Sequence, residues 1–126
     1  MMTADMGLTI EIVRLAMGVE EARARVAAHN IAMANVPGSR AMQLDAAEAM
    51  STLRAAQDDP FAFAQTLRSL QATEIASMVQ PRGNQTAVSL DSEVADMSAA
   101  SGRYQALADG VSRQFALMQL AIRGGK

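Results

Sequence analysis

The stretch HNIAMANVPGSRA, residues 29–41, decides how this chain reads. It closes a long apolar-patterned segment with two asparagines, a Pro-Gly pair and a small polar residue. Asn35 tolerates the left-handed conformation that ends many helices. Val36 precedes a proline and is pushed out of the helical region. VPGS fits a type II turn, with Pro37 at its second position and Gly38 supplying positive φ at its third. The stretch is therefore a hard stop and a directed exit from a helix.

Upstream, residues from about Leu8 to Asn35 hold no proline and one internal glycine, Gly18. Leu8, Ile12, Leu15, Val19, Ala22, Val26, His29 and Met33 fall at alternating four- and three-residue steps, the seam of a helix packed in coiled-coil fashion. A second seam of Ile10, Val13, Met17, Ala24, Ala27, Ile31 and Ala34 predicts a helix covered on more than one side. Near the other end, Val94, Met97, Ser101, Tyr104, Ala108, Val111, Phe115, Met118 and Ile122 form one heptad series, widened by Leu107, Leu117 and Ala121. Asp91, Glu93 and Asp96 lie early while Arg113, Arg123 and Lys126 lie late, which suits the helix dipole. Ser89 and Asp91 are N-cap candidates for a helix over about Asp91–Arg123, which the Gly124-Gly125 pair stops.

The middle is weaker. LDAAEAMSTLRAA is helix-compatible, and Asp59-Pro60 offers an N-cap with proline at the first helical position. Phe63, Leu67 and Leu70 give the following helix an apolar face. Residues 80–89, QPRGNQTAVS, read as a turn-rich linker. The chain divides into an N-terminal helix and turn (1–42), a middle segment (43–88) and a C-terminal helix (89–126). The expected fold is mainly α, with the two long helices packed as an antiparallel coiled-coil hairpin and a shorter, partly helical middle.

Composition narrows the function. The chain has 126 residues, no cysteine, 10 methionines and only Phe61, Phe63, Tyr104 and Phe115 as aromatics. Alanine is its commonest residue, and small side chains remove little apolar area from water. A core built on them is thin, so association must supply burial. The formal net charge is −2, and no basic stripe runs with aromatics, so the electrostatic footprint of nucleic-acid binding is missing. No run approaches the length of a membrane span, and Asp5, Glu11 and Arg14 interrupt any secretory apolar region. His29 has no second ligand at helical spacing and reads as a packing or polar contact. Glu20-Glu21 and Asp58-Asp59 are neighbours in sequence, and adjacent helical residues point about 100° apart. They read as a solvated face and a helix cap. Met17, Met33, Met97 and Met118 read as core. No enzyme constellation, cofactor site or metal site emerges.

The full wording of the opening stretch carries a resemblance. Asn30, Ile31, Ala32, Asn35, Pro37, Gly38, Arg40 and Ala41 match the signature N-[IL]-A-N-x-x-T-P-G-[YF]-[KR]-A of bacterial flagellar rod and hook proteins. Met33, Val36 and Ser39 depart from it, Ser39 replacing a bulky aromatic. Far away, RYQALADGVSRQFALMQLAI (Arg103–Ile122) resembles the C-terminal helix of proximal rod members, and VSLDSEVADM resembles its opening. The likeness covers roughly residues 8–42 and 84–123.

This resemblance implies a structural subunit of the flagellar basal body. Its hairpins would stack into a tube in the periplasm, after export through the flagellar type III apparatus without a cleaved signal. The implied partners are copies of itself, neighbouring proximal rod subunits, the export-gate/rod adaptor and the export apparatus. Subunit packing would fall to Leu8, Ile12, Leu15, Val19, Val26, Met97, Arg103, Tyr104, Leu107, Val111, Phe115, Met118 and Ile122. Tyr104 would anchor a helix–helix contact, and Arg103 would pair with an acidic residue of a neighbour. The alternative is a soluble helical-bundle adaptor, an export chaperone or a small secreted helical hairpin.

Overall fold

The structure is a computed structural model that describes residues 2–70, 72–83 and 88–124. It is mainly helical. A long helix α1 (Met2–Met33) leads through a turn to a short strand β1 (Met42–Leu44). Helices α2 (Ala47–Ala55), α3 (Pro60–Ser69) and α4 (Ala72–Ser77) follow, then strand β2 (Val79–Pro81) and a second long helix α5 (Leu90–Gly124). The dominant packing is α1 against α5. Glu20 meets Arg103, and Ile10 shares a groove with Val111 and Phe115. The two helices therefore run antiparallel.

Local chemistry sets the boundaries. Gly38 has φ +80 and no non-glycine residue has positive φ among the described residues, while the Ser39 N–H donates to Val36 O at 3.2 Å. Those are the marks of the expected type II turn. Asn35 therefore does not take the left-handed conformation expected of it. Short-range bonds close α1 instead, with Val36 N donating to Met33 O at 3.1 Å and Ala34 N to Ile31 O at 3.3 Å. Asp59 caps α3 with its carboxylate, accepting from Phe61 N and Ala62 N, and Pro60 stands at the first helical position. The Ser89 hydroxyl accepts from Ser92 N at 3.4 Å and caps α5.

The middle is more structured than its sequence suggests. Residues 79–81 form β2, so Gln80 and Pro81 belong to a strand rather than to the start of the linker expected over 80–89, and pair antiparallel with β1 (Met42↔Pro81, Gln43↔Gln80, Leu44↔Val79). The remainder of that expected linker falls partly on 84–87, and Gly125 and Lys126 also lie outside the described residues. Proline fits a two-stranded ribbon because every strand in it is an edge. Next to it, Arg82 N donates to Ala41 O at 2.7 Å and extends the pairing.

The two seams of α1 have different partners. Ile10 and Met17 line a groove with Tyr104, Val111 and Phe115 of α5. Leu15 and Gly18 meet Leu67, Leu70 and Ile75 of the middle segment. The Ile75 side chain seats against Gly18, where a Cβ would lie 2.8 Å from its Cδ1 and require that side chain to shift. The second covered side of α1 thus belongs to the same chain. Among the described residues the buried hydrophobic ones are Ala27, Ala41, Leu53, Leu67, Ile75 and Ala100. Half of them are alanines, so the core is as thin as the composition implies, and each larger side chain contributes ~1.5–3 kcal/mol.

Candidate assembly surfaces

The turn end of the hairpin is knitted by polar groups. Asn30 is 1% exposed. Its Nδ2 donates to Met42 O at 3.0 Å and its Oδ1 accepts from Met42 N at 2.8 Å. The side-chain amide thus mimics a third strand, satisfying both backbone groups of one β1 residue and pinning the ribbon to α1. Buried peptide groups need such partners. Next to it Ala41 is buried, while Asn35, Pro37, Gly38 and Arg40 are exposed, Ala32 is exposed and Ile31 half-buried. The motif therefore combines one buried clasp with an exposed turn. Ser39, standing in place of a bulky aromatic, has its hydroxyl 2.7 Å from Met33 O and 2.9 Å from Val36 O. It satisfies a carbonyl left open at the end of α1.

Opposite this clasp, Glu93 is 2% exposed on the first turn of α5. Arg82 Nη2 lies 2.9 Å from its Oε1, which ties β2 to α5. Glu93 changes the reading of α5. The covered residues are Glu93, Met97, Ala100, Tyr104, Leu107, Val111, Gln114 and Met118 at four- and three-residue steps, with Ala108 of the expected seam half-buried beside them. Met97, Tyr104, Val111 and Met118 belong to the expected seam. Val94, Ser101, Phe115 and Ile122 do not face α1 squarely: Val94 is 47%, Phe115 48% and Ile122 74% exposed. The inward row holds a glutamate and a glutamine, so apolar pattern alone favours the neighbouring row. Ala100 and Leu107, both apolar, were the available signal.

The remaining packing residues divide similarly. Leu8, Leu15, Val19 and Val26 are half-buried, whereas Ile12 is exposed. His29, placed on the main seam by its spacing, is exposed and borders an open groove between α1, α4 and the ribbon. Arg103, expected to pair with a neighbour, reaches Glu20 of its own chain at 2.9 Å. Tyr104 sits beside it, half-buried between the helices.

The far end of the hairpin contrasts with the turn end. Leu117 is 62% and Leu120 65% exposed, beside the exposed Phe115 and Ile122. Phe61, at the start of α3, is also exposed and lines a groove with Gly7 and Leu8. Clustered apolar exposure of this kind marks interaction surfaces. Among the described residues, no group of three or more histidine, aspartate or glutamate side chains is placed to hold a metal. No described helix is long and apolar enough to cross a membrane. In comparison with known proteins, no family model, no curated protein and no solved structure matches this chain.

Proposed function

We propose that this chain is a structural, non-enzymatic subunit of the bacterial flagellar proximal rod, of the FlgB type, which helps to transmit torque through a helical tube. It is exported by the flagellar type III apparatus and assembles in the periplasm with copies of itself, neighbouring rod subunits and the export-gate/rod adaptor.

The observation that carries this reading is the placement of the two resembling stretches. They lie at opposite ends of the sequence, yet they sit on the two facing helices of one hairpin. Asn30 of the first stretch holds the ribbon at the turn end, and Arg103 at the head of the second bonds to Glu20 on α1. A hairpin finished at one end and apolar at the other suits a part that is completed by its neighbours.

Deleting the gene tests it. The expected phenotype is loss of rod assembly and motility with the export apparatus still in the membrane. Normal flagella in a strain with a single flagellar system reject it. Amide exchange on the purified chain discriminates the adaptor alternative. A rod subunit is expected to protect poorly at the far ends of α1 and α5, whereas an adaptor that works as a discrete folded unit protects both helices throughout.

A further inference from the structure

We draw no further inference here: the strongest candidate, the open apolar groove between α1, α4 and the ribbon, lined by Ala22, Val26, Met42, Ile75 and Val79, carries no proposal, because the charges at its rim, Glu21 and Arg25, pair with each other and nothing in the structure shows what covers it.

Discussion

The two ends of the hairpin are built on opposite plans. At the turn end, polar side chains are paired, two of them buried: Asn30 with the Met42 backbone and Glu93 with Arg82, beside half-buried Ser39 with carbonyls of the α1 terminus. At the far end, apolar side chains are exposed without cover, from Phe115 to Ile122. Directional bonds specify a geometry within one chain. Uncovered apolar surface gains only when something else arrives. The contrast separates the part of the molecule that completes itself from the part that waits for neighbours.

The sharpest way to break this contrast is Asn30→Ala. It removes both bonds to the backbone of half-buried Met42 and empties the buried position of the amide, at ~1–1.5 kcal/mol for each lost bond. Chemical denaturation should show a loss of about 3 kcal/mol. An unchanged midpoint means that water replaces the amide, and the clasp is then not what holds the ribbon. Arg82→Leu comes next, because it strands the carboxylate of Glu93 in a buried position. A loss of about 2–3 kcal/mol is expected, and the double change Arg82→Leu, Glu93→Leu should recover most of it.

At the far end the order of effects reverses. Phe115→Asp should cost the isolated chain only about 1 kcal/mol, since half of the ring is already in water, yet it should block incorporation into an assembled rod. Phe115→Leu should be tolerated in both assays. Incorporation of Phe115→Asp at wild-type levels makes this surface idle. The smallest effect belongs to Ser39→Ala. Losing a hydroxyl bond at a partly exposed helix end is worth about 0.5–1 kcal/mol, visible as a small shift in thermal midpoint with no change in assembly.

Much of the frame was legible in the sequence, because local rules governed it. The VPGS turn, the Asp59 cap before Pro60 and the start of α5 at Ser89 follow from residues adjacent in the chain. Met97, Tyr104, Val111 and Met118 were legible as one half of a seam. What stayed hidden depends on contacts between distant residues. Glu93 is inward, where Arg82, just past β2, reaches it. Gly18 has meaning only because Ile75 packs over it. The strands MQL and VQP are three residues each, too short to show alternation, and one holds a proline. The apolar pattern also cannot say who covers a surface. The first seam of α1 reads equally well as a contact with another subunit or with its own middle segment, and the chain uses the latter for Leu15, with Gly18 beside it.

The small ribbon has one further consequence, for the order of events during folding. α1 and α5 are separated by the entire middle of the chain, and meeting directly means closing a long, costly loop. β1 and β2 hold the neck of that loop shut, helped by Asp45 N to Met78 O at 2.9 Å and Gln80 Nε2 to Asp45 Oδ2 at 3.0 Å. Once the neck is closed, the effective loop between the long helices shortens about threefold, which lowers the closure entropy by roughly 1 kcal/mol. The two long helices then meet across a shorter loop, and six residues of strand supply the gain.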